Sequence, residues 1–129
     1  MLFLTLALSL LACHEPEDDA DLGDALLTEA GHYALTVEHQ PDPPITGDAT
    51  LLVQILDGQD GSLLTGSSLV VTPWMPDHGH GVMEEPVVVE DEGLYTVEFA
   101  YSMPGTWELS FEVDGAHGPD QLVVTVEVQ

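Results

Sequence analysis

The chain has 129 residues and a mass of 13.8 kDa, enough for one domain. It carries 24 Asp and Glu and no Lys or Arg, a formal net charge of −24. That balance excludes binding to nucleic-acid backbones, a polybasic membrane patch and a P-loop with its lysine. With 44% hydrophobic residues and a mean hydropathy of +0.13, the chain also differs from a disordered acidic polymer.

Residues 1–12 read MLFLTLALSLLA, too short an apolar run to cross a bilayer but suited to the core of a secretory signal. Leu10-Leu11-Ala12-Cys13 looks like a bacterial lipobox, with Cys13 as the lipid acceptor and a membrane anchor as the consequence. Cys13 is the only cysteine, so no intramolecular disulfide forms. Residues 13–30 read as an acidic tether, holding Glu15, Glu17, Asp18, Asp19, Asp21, Asp24 and Glu29. Like charges in such a run repel and extend it.

From Gly31 apolar residues recur at every second position, the mark of half-buried strands. Tyr33, Leu35 and Val37 open the series, and Pro41, Pro43 and Pro44 break it. Ala49, Leu51, Val53 and Ile55 follow, stopped by Asp57-Gly58. Further strands are expected at 67–74, 86–90, Tyr95 to Tyr101, Trp107 to Val113 and Leu122 to Val128. About seven short antiparallel strands separated by Gly, Pro and Asp turns predict an all-β, immunoglobulin-like β-sandwich over residues 31–129. Trp107 stands where the tyrosine corner of that fold has its aromatic.

The loop after the third strand is chemically distinct: Trp74-Met75-Pro76-Asp77-His78-Gly79-His80-Gly81-Val82-Met83. Beyond Met1, the methionines are Met75, Met83 and Met103. In an immunoglobulin-like sandwich the third and sixth strands are neighbours, so Met103 should project towards His78 and His80. Thioether and imidazole together select copper, with sulfur favouring Cu(I). Calcium and magnesium prefer oxygen, and zinc gains nothing from methionine. The expected ligands are Met75, His78, His80 and Met103, with Met83 in reserve. Trp74 is expected to wall the site. His39 is a more distant candidate at the same end, whereas His32 and His117 belong to the opposite end and His14 adjoins Cys13. Asp57-Gly58-Gln59-Asp60-Gly61 lacks the later ligands of a calcium loop and reads as a turn. No nucleophile elbow or nucleotide site is present, so no enzyme is expected.

The stretches Trp74-x-Pro76-x-His78-Gly79-His80-Gly81, Asp91-x-Gly93-x-Tyr95 and Met103-Pro104-Gly105-x-Trp107-Glu108-Leu109 resemble the YtkA-like (FixH-related) family. The likeness covers about residues 31–129 and is strongest from 69 to 113. It implies an exported or membrane-anchored bacterial domain concerned with copper handling and cytochrome oxidase maturation. It also implies a His/Met metal site at Met75, His78, His80 and Met103. The absence of Lys and Arg departs from a typical member.

Two functions follow as expectations. One is a lipid-anchored envelope module that buffers Cu(I) or passes it to a protein recipient in the periplasm or at the cell surface. The other is an interaction or adhesion module without metal, binding a protein through sheet edges or loops. In either case a chain without side-chain cations other than histidine repels itself. Its melting temperature is expected to rise between low and moderate NaCl; a flat or falling melting temperature contradicts this.

Overall fold

The computed structural model describes residues 24–129; the apolar leader, Cys13, His14 and residues 15–23 of the tether lie outside the described residues. Alternation along the chain yields ten strands and, among the described residues, no helix: β1 (Leu26–Leu27), β2 (Tyr33–Gln40), β3 (Gly47–Asp57), β4 (Leu63–Leu64), β5 (Ser68–Met75), β6 (His80–Gly81), β7 (Val87–Asp91), β8 (Leu94–Tyr101), β9 (Gly105–Gly115) and β10 (Gly118–Val128). The seven strands expected from periodicity are β2, β3, β5, β7, β8, β9 and β10. The other three have two residues each, too few to show a period.

Two antiparallel sheets face each other. One has the order β1-β2-β3-β8-β7, with β4 also paired on β3; the other has the order β10-β9-β5-β6. This is the strand arrangement of an immunoglobulin-like sandwich. Register follows the side-chain pattern, because a slip by one residue would turn every apolar group to water. Leu51 lies opposite Val97 and Val53 opposite Tyr95 in the first sheet, and Val71 opposite Phe111 in the second. These inward residues, with Tyr33, Leu35, Ile55, Tyr101, Trp107, Leu109 and Val113, form one continuous core. The two buried tyrosines near the β2 start satisfy their hydroxyls within the fold. Tyr33 accepts the amides of Gly115 and His117, each at 3.0 Å, and donates to the Gly118 carbonyl at 2.7 Å. Tyr95 donates to the Ser67 carbonyl at 2.7 Å.

Asp57 and Asp60 fold the turn after β3 onto itself. Asp57 Oδ1 accepts the amides of Gln59 and Asp60, and Asp60 Oδ1 accepts that of Ser62. These carboxylates are thereby engaged by their own backbone.

The folded part begins earlier than alternation suggests. Residues 24–30 were expected in the tether on composition, yet β1 pairs with β2 and Thr28 is only 3% exposed. The cause lies 92 positions away, in the Asp120 carboxylate and in Gln121, whose carbonyl accepts the Glu29 amide at 2.8 Å. Asp120 accepts the Thr28 hydroxyl at 2.6 Å, the amides of Ala30 at 3.0 Å and His32 at 3.2 Å, and its neighbour's amide, Gln121, at 2.8 Å. It thus pins the start of the first sheet to β10 of the second.

Burial alone would raise the Asp120 pKa, but the Thr28 hydroxyl and the three amides outweigh it and hold the carboxyl at about 2. An unfolded aspartate titrates near 3.9, so this contribution is complete above about pH 4 and is lost as pH falls through about 2. The gap in urea midpoint between wild type and Asp120→Asn is therefore expected to shrink across that window. A gap that stays constant there removes Asp120 as the acid-sensitive clamp.

Candidate metal site

Strand β5 alternates strictly, so its last two residues point opposite ways. Met75 turns inward and is 1% exposed, while Trp74 turns outward and is 43% exposed. The chain then reverses through Pro76–Gly79. The Met75 carbonyl accepts the amides of His78 at 3.3 Å and Gly79 at 2.9 Å. Gly79 has φ +67°, a left-handed conformation that glycine adopts without strain. The turn returns His80 opposite Met75 and Gly81 opposite Trp74. Residues directly opposed on two strands share a face, so His80 lies on the same side as the Met75 thioether.

The ring of His80 is oriented by its neighbour. Its Nδ1 lies 3.1 Å from the Gly81 carbonyl, which can only accept. Nδ1 therefore carries the hydrogen and Nε2 keeps its lone pair. The His78 ring lies 5.9 Å away, centroid to centroid, and the Trp107 ring stands edge-on to His80 at 6.1 Å. His78 is exposed and His80 half-buried.

Strand β9 closes the arrangement from below. Gly105, with φ +134°, sits where a Cβ would lie 2.8 Å from the Met75 methyl. Two residues earlier, half-buried Met103 packs against the core. Its carbonyl accepts the Trp107 indole N–H at 3.0 Å. This is the backward bond that a tyrosine corner makes with its hydroxyl. Trp107 also packs on Tyr101 at 5.2 Å.

The structure thus gathers Met75, His78 and His80 in one hairpin and brings the Met103–Trp107 segment beneath it. Met83 goes elsewhere: it is 89% exposed and borders a recess with Asp48, Glu84, Glu85 and Glu98. Trp74 does not wall the site. Strict alternation turns it to the outer face, and the buried Trp107 of the neighbouring strand takes that position instead. Periodicity could have identified this exchange, because Trp74 is one residue out of phase with Leu69, Val71 and Met75.

His39 is at the same end, as expected, but both its nitrogens are engaged. Nδ1 donates to the Pro41 carbonyl at 2.8 Å, and Nε2 accepts the Tyr101 hydroxyl at 2.8 Å. Burial pushes the Tyr101 hydroxyl pKa well up, so the phenol stays protonated as the donor. At the opposite end, His117 Nε2 meets Asp57 Oδ2 at 2.7 Å. Among the described residues, no three His, Cys, Asp or Glu side chains converge as a metal cage.

The two sheets and this end define an immunoglobulin-like sandwich with a histidine-bearing hairpin against a methionine. The YtkA-like family model matches residues 28–112, and the chain belongs to that family. Three solved structures share the fold. A DUF4426 family protein from Pseudomonas aeruginosa is 13% identical, with 81% of this chain and 96% of that chain covered and a TM-score of 0.59. The Lin-41 filamin domain is 23% identical over 72% of this chain and 91% of its own, with a TM-score of 0.54. A copper-bound variant of FetP from uropathogenic Escherichia coli is 10% identical over 82% and 89%, with a TM-score of 0.52. A comparison with curated protein sequences finds no match.

Gly105→Ala tests the seat of Met75. A β-carbon there meets the methionine methyl and forces an L residue to positive φ, so urea denaturation is expected to show a loss of about 1–3 kcal/mol. Unchanged stability means that β9 does not approach Met75 this closely.

Proposed function

We propose that the protein is a copper-binding module of the bacterial envelope, holding Cu(I) as cargo for buffering or delivery rather than acting as an enzyme. The observation that carries this reading is His80, whose Nδ1 is taken up by the Gly81 carbonyl, whose ring centroid lies 5.9 Å from that of His78, and which shares a face with the Met75 thioether. Two imidazoles that share an ion through metal–nitrogen bonds of about 2.0–2.1 Å have centroids within roughly 6.5 Å of each other. The spacing therefore suits joint ligation with little movement. Soft sulfur beside imidazole favours Cu(I) over zinc or hard cations. Met75 and Met103 supply that sulfur from below, and the buried indole of Trp107 keeps water from the inner side.

The surroundings fit a cation carrier. A formal charge of −24 draws cations towards the surface. His78 is exposed, so a partner can reach an ion there and exchange ligands. The copper-bound FetP variant shows that a sandwich of this shape accommodates copper. Family membership supports an envelope location and a link to cytochrome oxidase maturation. Cys13 would supply the lipid anchor.

A Cu(I) titration against a colorimetric chelator, under reducing conditions, compares wild type with His78→Ala/His80→Ala. One-to-one binding is expected in wild type and its loss in the variant. A second reading comes from thermal melting: at a hundredfold excess over Kd, a ligand of the folded state alone adds about 2.7 kcal/mol. Equal uptake by the variant overturns the site, and no uptake by either overturns the function.

A further inference from the structure

Sheet edges invite other chains, and folded proteins blunt them with charge, proline or covering segments. Here β10 carries Asp120 and Glu127, β7 carries Glu90 and Asp91, and β2 carries Glu38. Strand β5 differs in charge: Ser-Leu-Val-Val-Thr-Pro-Trp-Met carries none, in a chain with 24 acidic residues, and its one proline, Pro73, removes an edge N–H only at the end next to β6. Its one flank is paired with β9 from Ser68 to Trp74. On its other flank β6 reaches only Trp74 and Met75. Among the described residues, the edge from Ser68 to Pro73 has no partner strand.

The direction of the free backbone groups can be worked out. The Pro73 carbonyl faces the β6 side, lying 2.9 Å from a Cβ position on Gly81. Backbone groups in a strand alternate in direction with a period of two. Leu69 and Val71 therefore direct their N–H and C=O groups to the same open side. Beside this edge runs a groove of about 590 Å³ between the two sheets, floored by Leu69, Val71, Val82, Pro86 and Val88 and bordered by Trp74. It ends at Gly81, next to His80.

We infer that the open edge of β5 and its groove form a docking site for an extended, lysine- or arginine-bearing segment of another protein, which adds as a strand beside Leu69 and Val71. Backbone bonds would hold the segment, and its alternate apolar side chains would enter the groove. Charge selects the occupant. A second copy brings another −24 and is repelled, whereas basic side chains would meet Glu85 on the groove and the net negative charge of the whole chain. The site deepens the copper reading by seating a recipient's segment end-on to the histidine turn; the docking itself needs no copper.

The probe is a synthetic peptide of about eight residues, long enough to span the six-residue edge, with alternating Val and Thr and Lys at both ends. It is added to the ¹⁵N-labelled, copper-free protein, and amide shifts and hydrogen exchange are read residue by residue. The Leu69 and Val71 amides are expected to shift and to exchange more slowly. Both effects should vanish with a peptide N-methylated at alternate residues, with Glu in place of Lys, and in Val70→Lys, which adds a cation at an exposed position. No change at Leu69 and Val71, or equal changes with the N-methylated peptide, overturns the proposal; the latter would mean only cation scavenging. Since copper plays no part, failure here and failure of the copper titration are separate results.

Discussion

The indole of Trp107 is the interaction on which the histidine end of the molecule depends. It is fully buried, and its N–H must find an acceptor because an unpaired donor in an apolar core costs about 1–3 kcal/mol. The Met103 carbonyl, four residues back, provides it. That bond sets the course of the chain between β8 and β9, and with it the place of Met103 and Gly105. The same ring packs on Tyr101 of the opposite sheet and edge-on to His80. Tyr101 in turn is bonded to and stacked on His39. One side chain thus joins both sheets, the β5–β6 hairpin and the end of β2 into a single aromatic assembly.

The lack of Lys and Arg imposes a second constraint. Without such cations, buried carboxylate–ammonium pairs are unavailable. Asp120 instead gathers a hydroxyl and three amides, and Asp57 gathers two amides and a histidine ring. Both lie at the end away from His78 and His80. The Asp57 carboxyl is held below the usual range, chiefly by the Gln59 amide and the His117 contact. Backbone amides thus do at that end what ion pairs do in proteins of mixed charge. At the other end the histidine rings keep their nitrogens for carbonyls, a phenol and, in the copper reading, a metal.

Fold class and the seven longer strands were legible because apolar alternation has a physical cause. Each strand of a sandwich buries one face, so Leu51, Val53 and Ile55, or Trp107, Leu109 and Phe111, declare their phase. The meeting of β5 with β9 was also legible, since the sandwich topology makes those strands neighbours. Less legible were features that rest on one or two residues. Strands β1, β4 and β6 are too short to show a period. The docking of residues 24–30 depends on Asp120 and Gln121, contacts that leave no local pattern. Trp74 shows how a chemical expectation can overrule phase: the aromatic nearest the histidines in sequence faces outward, and the one beside them in space comes from another strand.

Residue types alone determined what this protein can attract: a chain of acids, six histidines and paired thioethers draws cations and offers soft donors, wherever they lie. Period-two alternation determined the sandwich as well, because burial of one face is enforced strand by strand. Only the tertiary structure decided which donors meet. The direct opposition of Met75 and His80 fixes a shared face, the Gly81 carbonyl frees His80 Nε2, and Met83 is carried out into solvent. It also decided that one uncharged strand ends up at a sheet edge, since edge or centre is a property of strand order in space. These outcomes turn on register and hydrogen-bond direction, which depend on partners far apart in the chain.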